Sequence, residues 1–313
     1  MDDTENTEAF STTEAFGALG TERADPRFAE VDTMSVAEVA ALMNDADATV
    51  PAAVRAAFGS IVPAIEGASA RVAAGGRLIY VGAGTPGRIG VLDASEAPPT
   101  FGTDPSRVFA IIAGGEGAIV SSIEGAEDDA PAGVAAIDRS GAGPEDVVIA
   151  LASSGRTPFV VAAAARARER GALTVGMSCN ADTPLSAVVD HPIEVLVGPE
   201  IISGSTRLKA GTAQKLVLNM FSTISMIRAG KTYGNLMIDV RPTNLKLRER
   251  ATRIVETISG ADRAAALDAL HATGFELKSA IVMLRRGVTP DAANELLARH
   301  DGQLRAVLDE VHS

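Results

Sequence analysis

The sequence predicts an α/β protein: a three-layer, doubly wound parallel sheet of five strands, followed by a small all-helical C-terminal module. Three observations lead there. Five short apolar runs, Arg77 to Val81, Val108 to Ala113, Asp146 to Leu151, Leu173 to Met177 and Ile193 to Val197, are each bounded by Gly, Pro or Asp, as buried parallel strands are. Ala-rich segments long enough for crossover helices lie between them, Pro158 to Arg170 being the clearest. The apolar fraction of 46% is aliphatic rather than aromatic, with 4% aromatics, no Trp and 30 glycines, a composition that favours α/β over a β-sandwich.

In chain order, residues 1–20 are polar, acidic and rich in Ser and Thr without periodicity, and are expected to form a disordered leader. Residues 21–60 form an N-terminal helical segment. Apolar residues recur at helical spacing from Ser35 to Asn44 and from Val50 to Ala74. The sheet domain spans 61–240 and ends in a long helical pattern from about Arg207 to Ala229, interrupted by Tyr233-Gly234-Asn235 and the turn Arg241-Pro242-Thr243-Asn244. Residues 241–313 hold only helical patterns, with breaks at Gly260, Gly274, Gly287 and Gly302.

A chain of 313 residues is about two domains long and can bury a core without staples. With 28 Lys and Arg against 40 Asp and Glu, the net charge of −12 argues against nucleic acid as a partner. The single cysteine, Cys179, reads as a small buried apolar residue and suits a reducing cytoplasm. No stretch approaches the roughly 18 apolar residues of a membrane span, and the acidic N-terminus is unlike a secretory signal, so a cytoplasmic location is expected. The four histidines, His191, His271, His300 and His312, show no ligand spacing, and no metal is expected. No G-x-S-x-G elbow is present, which leaves nucleophilic triad catalysis without support.

Three loops are suited to an anion. The first strand runs into Gly82-Ala83-Gly84-Thr85-Pro86-Gly87-Arg88, a G-x-G-x-x-G match at a strand-to-helix junction. The second strand ends in Ala113-Gly114-Gly115 and lacks the acidic residue that would bind a dinucleotide ribose, so NAD is disfavoured. Phosphate is the natural guest of such a turn, because its backbone comes close and the helix start offers N–H groups. After the third strand, Ser153, Ser154, Gly155, Arg156 and Thr157 precede Pro158 with the same logic. The third cluster runs from Gly198-Pro199-Glu200 through Ser205, Thr206, Arg207 and Lys209 to Thr212 at the start of the long helix. Its plainer reading is helix capping by Ser205 or Thr206 with solvated cations.

Acid–base chemistry needs carboxylates near that ligand. Glu96, in Asp93-Ala94-Ser95-Glu96-Ala97-Pro98-Pro99, is expected one or two turns into the helix after the glycine loop, which the prolines should end. A second acidic run, Glu124 to Asp129, follows the second strand, with Asp128 and Asp129 read as solvated surface. Two carboxylates from different segments can divide acid and base roles if the surroundings hold one protonated and the other ionised.

The run Gly75 to Thr85 followed by Asp93 to Gly102 resembles the N-acetylmuramic acid 6-phosphate etherases. Thr21-Glu22-Arg23, Ile112 to Gly115, Glu127-Asp128, Ser154 to Pro158, Gly204 to Lys215 and Gly234 to Met237 also match that family's pattern, from about residue 21 nearly to the end. The resemblance implies a sugar isomerase (SIS) fold, a homodimer and no metal or redox cofactor. It implies cleavage of the D-lactyl ether of N-acetylmuramic acid 6-phosphate to N-acetylglucosamine 6-phosphate and D-lactate, in peptidoglycan recycling. The implied route is elimination then hydration: the C2 proton, acidified by the open-chain C1 aldehyde, is removed, lactate leaves C3, and water adds. Glu96 aligns with the family's proton donor and Glu127 with its second catalytic glutamate. The phosphate would rest on Thr85, Ser153, Ser154 and Thr157, supported by Gly84, Gly87, Arg88 and Arg156, with Arg207 or Lys209 meeting the lactyl carboxylate.

One departure stands out. Pro86 replaces the serine usual in the family's first loop, removing a hydroxyl and an N–H. At about 1.5–3 kcal/mol per charged hydrogen bond, an uncompensated loss would weaken phosphate binding tenfold or more. Ala97, where the family commonly has Cys, reads as a packing change. The alternatives on the same fold are a non-catalytic sugar-phosphate sensor and a phosphosugar isomerase.

Overall fold

The computed structural model describes residues 19–240, 242 and 244–310. The expected leader falls outside the described residues for 1–18, as do Arg241, Thr243 and His312. The chain separates into two compact units, one running to Ala94 and resuming over Arg107–Phe221, the other formed by Ser95–Ser106 and the chain from Ser222. The segment 241–313 belongs wholly to the second.

The first unit holds five parallel strands, β1 (Leu78–Gly82), β2 (Val108–Ile112), β3 (Val147–Leu151), β4 (Leu173–Ser178) and β5 (His191–Glu194), in the order β2-β1-β3-β4-β5. The centre is dry: every residue of β1 and β3 is buried. Helices Ala130–Ser140 and Pro158–Glu169 cover one face, where Ile137, Val160, Ala163, Ala164 and Ala167 meet Ile79, Val81, Val148 and Ala150. Small Ala side chains let these helices lie close, and a Cβ on Gly133 would come within 2.2 Å of Phe159 O. Helix Phe58–Ala73 packs on β3, β4 and β5 and buries Ile61, Ala64, Ile65, Ala68 and Val72. The result is the three-layer, doubly wound arrangement that the apolar runs predict.

Two expectations need correction, and one is refined. The fifth strand, expected at Ile193–Val197, is found at His191–Glu194. It is an edge strand, so Pro192 costs no ladder bond, and its pairing ends with β4 after Val195 N donates to Ser178 O. The pattern over Val50–Ala74 is two helices, Val50–Ala56 and Phe58–Ala73, broken at Ala57. Pro98 and Pro99 do not end the helix after β1, which runs from Gly84 to Phe101. It stops at Gly102, whose φ of +63° and whose neighbour Asp239 O, 2.2 Å from any added Cβ, exclude a side chain.

The second unit contains an antiparallel hairpin unseen in the sequence, β6 (Thr232–Tyr233) and β7 (Leu236–Met237), too short to carry alternation. Among the described residues five helices follow: Leu245–Ser259, Arg263–Ala272, Leu277–Arg286, Pro290–Arg299 and Leu304–Asp309. Asn244, Asp262 and Thr289 accept N-cap bonds from Leu247, Ala265 and Ala292. Val255, Leu270, Ile281, Ala293 and Val307 form its core. Among the described residues no single helix is long and apolar enough to cross a membrane.

Candidate functional site

The sheet order reverses at β1. The chain leaves β1 for β2 on one side and returns to β3 on the other, and ligands of such sheets bind beyond the strand ends at that point. Gly82 at the end of β1 pairs with both Ile112 and Leu151, so the glycine loop, the acidic loop after β2 and the serine loop after β3 leave from one edge.

The glycine loop is tight because strand and helix touch backbone to backbone. A Cβ on Gly82 would stand 2.6 Å from Gly87 N, and one on Gly87 would stand 2.7 Å from Ile112 Cγ1. Gly87, expected as a ligand residue, therefore has a packing duty. Pro86 is buried in the first helical turn, where a missing N–H breaks no intrahelical bond. Gly84 is exposed and Thr85 half-buried, and a Cβ on Gly211 in the long helix Lys209–Arg228 would lie 3.6 Å from Thr85 Cγ2.

Beside this loop lies a crevice of about 490 Å³, within the range of small-molecule sites of about 300–1,000 Å³. Gly84, Thr85 and Arg88 form one wall, and the acidic loop from Ser122 to Glu127 forms the other. Pro86 is not among the lining residues. Arg88 donates from Nε to Ile119 O (3.0 Å) and from Nη2 to Ser121 O (3.2 Å), which ties the acidic loop's root to the glycine-loop helix. Phe159 N donates to Glu127 O (3.0 Å), pinning the glutamate's backbone to the helix that follows the serine loop. The Glu127 side chain itself is exposed.

The serine loop rests on a buried polar network. Ser153 O accepts from Cys179 N (2.9 Å) and Asn180 Nδ2 (3.0 Å), and the same amide reaches Thr21 Oγ1 at 3.1 Å. Ser153 Oγ accepts from Gln214 Nε2 at 3.2 Å, and Ser154 Oγ accepts from Arg156 N at 3.2 Å. Thr157 occupies the N-cap position without using its hydroxyl there. Pro158 has no N–H and Phe159 N is committed to Glu127, so an anion at this helix start would rely on hydroxyls more than amides. The sequence does not single out Thr21, Asn180 or Gln214 as site residues. Thr21 and Gln214 fall in runs that match the family's pattern, but no local feature of the sequence marks their side chains, or that of Asn180, as partners of Ser153.

The third cluster does more structural work than expected. Glu200, 1% exposed, accepts from Lys209 N (3.0 Å) and Ala210 N (2.9 Å), filling the positive end of the long helix with the chain's own carboxylate. Lys209 Nζ donates to Val197 O at 2.7 Å. Burial pushes the Glu200 carboxyl up against the pull of those amides, and burial pushes the Lys209 ammonium down. Ser205 and Thr206 are half-buried and Arg207 is exposed. Gly204 N donates to Thr21 O, joining this loop to the N-terminal segment.

Glu96 is carried by the helix Gly84–Phe101. It is exposed, belongs to the second compact unit and is not among the crevice's lining residues. It lies three turns along its helix from the glycine loop rather than one or two. The eleven positions after Thr85 amount to about 16 Å of axial rise.

Comparison with known proteins adds to this geometry. The glucokinase regulatory protein N-terminal SIS domain family matches residues 60–168, and the SIS domain family matches residues 132–224. The chain is 56% identical over 297 residues to the N-acetylmuramic acid 6-phosphate etherase of Rubrobacter xylanophilus, covering 95% of this chain and 98% of that protein. It is 56% identical over 292 residues to the etherase of Streptomyces avermitilis, covering 93% of each. Among solved structures it is similar to a protein of Escherichia coli CFT073, with a TM-score of 0.46 and 18% identity over 62% of this chain and 93% of that one.

Proposed function

Because the chain belongs to the N-acetylmuramic acid 6-phosphate etherase family, we propose that it is a carbon–oxygen lyase cleaving the D-lactyl ether of N-acetylmuramic acid 6-phosphate. The products are N-acetylglucosamine 6-phosphate and D-lactate, and the role is recycling of peptidoglycan amino sugars in the cytoplasm. The observation that carries this reading is 56% identity to a named etherase over 95% of the chain. The crevice beside the glycine loop supports it, lined by Thr85 and Glu127, and the serine loop, although not in its lining, leaves from the same sheet edge.

The sugar's phosphate rests on Thr85, Ser153, Ser154 and Thr157. Glu127 takes the C2 proton of the open-chain sugar, whose C1 aldehyde accepts the electron pair as an enolate. The C3–O bond then breaks, lactate leaves with a proton from Glu96, and a C2–C3 double bond forms. Water adds its oxygen to C3 and a proton returns to C2, so the sum is ether plus water to sugar plus lactate. Each transfer needs its carboxyl within about 3 Å of the atom served. Glu96 begins about 16 Å of axial rise along its own helix from Thr85, and in this reading a homodimer supplies Glu96 from the partner subunit. Arg207 meets the lactyl carboxylate.

The test is a lactate assay with a phosphosugar panel. Purified protein should release D-lactate from N-acetylmuramic acid 6-phosphate. Glu96→Gln and Glu127→Gln should each cost about a hundredfold or more in kcat while the protein stays folded. Binding without turnover would indicate a sensor, and aldose–ketose interconversion without lactate an isomerase; either overturns the proposal.

A further inference from the structure

We infer that Gln214 is a positioning residue whose amide fixes the Ser153 hydroxyl as a hydrogen-bond donor toward the substrate's phosphate. The inference rests on the reading that the serine loop holds that phosphate.

Gln214 is completely buried on the long helix. Its Nε2 lies 3.2 Å from Ser153 Oγ, while its Oε1 has no partner among the described residues. A serine hydroxyl has one proton and two lone pairs. With the amide donating into one lone pair, the proton is turned away from Gln214, and no described protein acceptor takes it. The opposite amide orientation would capture that proton and leave two buried N–H donors unmet, where this one leaves one N–H and the carbonyl, the lesser cost because orphaned N–H groups are rarer than under-satisfied carbonyls. The Ser153 backbone cannot swing to compensate, because its carbonyl is held by Cys179 N and Asn180 Nδ2.

Ser154 is set the same way. Its Oγ accepts from Arg156 N at 3.2 Å, a bond that does not use its proton. Two adjacent hydroxyls are thus occupied as acceptors from the protein side and present protons to a ligand. A phosphate dianion only accepts hydrogen bonds and matches this pair. A sugar hydroxyl could use only the one lone pair that each Oγ retains, whereas a phosphate oxygen takes the proton that Gln214 leaves free.

Calorimetric binding of N-acetylglucosamine 6-phosphate tests the inference. Ser153→Ala and Gln214→Met should each weaken binding about tenfold or more, the scale of one charge-assisted hydrogen bond. The Ser153→Ala/Gln214→Met double variant should bind no more weakly than Ser153→Ala alone, since both remove one interaction. Gln214→Asn, an amide withdrawn by one methylene, should behave like Gln214→Met and carries the test if the latter does not fold. In turnover, the loss should fall on KM more than on kcat. Wild-type affinity in the folded Gln214 variants beside a weakened Ser153→Ala would overturn the inference alone, as would losses that multiply in the double variant. Wild-type affinity in Ser153→Ala would overturn the placement of phosphate on Ser153, and the inference with it.

Discussion

Cys179 lies beneath the start of the long helix, its Sγ 3.9 Å from Ala210 O and its surface buried. Burial, and secondarily the negative charge of Glu200, pushes the thiol up to about 12. A thiol that cannot ionise is a poor nucleophile, so the native protein should resist iodoacetamide at mildly alkaline pH and react fully once unfolded in urea. Stoichiometric alkylation of the native protein would contradict this packing. Pro86 is a second single-residue case. It is buried and absent from the crevice lining, so Pro86→Ser should change product affinity by less than about tenfold. A larger gain, measured by calorimetry, would mean that the residue does meet the ligand.

Among the elements, the sheet's far end is fastened by Asp146. Its Oδ1 accepts from Arg77 N and Nε, each at 3.0 Å, and its Oδ2 from Arg77 Nη2 at 2.6 Å and Gly143 N at 3.0 Å. Burial alone would raise this carboxyl, but the Arg77 bonds outweigh it and hold it below its ordinary value of 3.8. A depressed folded-state value stabilises the fold above the unfolded value and loses that stability as pH falls through the folded one. Asp146→Asn should therefore cost about 1–3 kcal/mol near neutrality, with the gap in denaturant midpoint closing in acid. A gap that persists in acid would contradict the ion pair's role. At the opposite end, Arg88 holds the acidic loop by two carbonyls. Arg88→Ala should speed amide exchange across residues 119–127 and lower kcat, and unchanged exchange would show that the tether does not order the loop.

These elements also mark what the sequence discloses. The strands, the helix after Pro158 and the glycine loop are legible because apolar runs, Ala spacing and Gly placement are local signals. The persistence of the Gly84–Phe101 helix through Pro98 and Pro99 is not, since its stop depends on Gly102 meeting Asp239, a contact between distant positions. Glu200 capping a helix nine positions later, and Gln214 facing Ser153 across 61 residues, are equally invisible. Each is a polar residue whose partner only the fold provides. The glycine and serine loops could be suspected of sharing a ligand, but their departure from one sheet edge comes from the reversal of strand order at β1.

For the molecule as a whole, the proposed dimer makes a prediction that neither residue nor element makes. Glu127 belongs to the first compact unit and Glu96 to the second. If each site draws Glu127 from one subunit and Glu96 from the other, mixing and reassociating the inactive Glu96→Gln and Glu127→Gln variants restores one complete site per mixed dimer. Activity should return to about a quarter of wild type, because half the dimers are mixed and each has one good site of two. No recovery after verified subunit exchange would place both glutamates in one chain.

The most direct measurement follows the isotopes of a single turnover in heavy water. Carried out with N-acetylmuramic acid 6-phosphate in ¹⁸O-labelled D₂O, the reaction should yield unlabelled lactate and N-acetylglucosamine 6-phosphate carrying ¹⁸O at C3 and deuterium at C2. Label in the lactate with hydrogen retained at C2 would mean displacement at the lactyl carbon, and would contradict elimination and hydration between two glutamates.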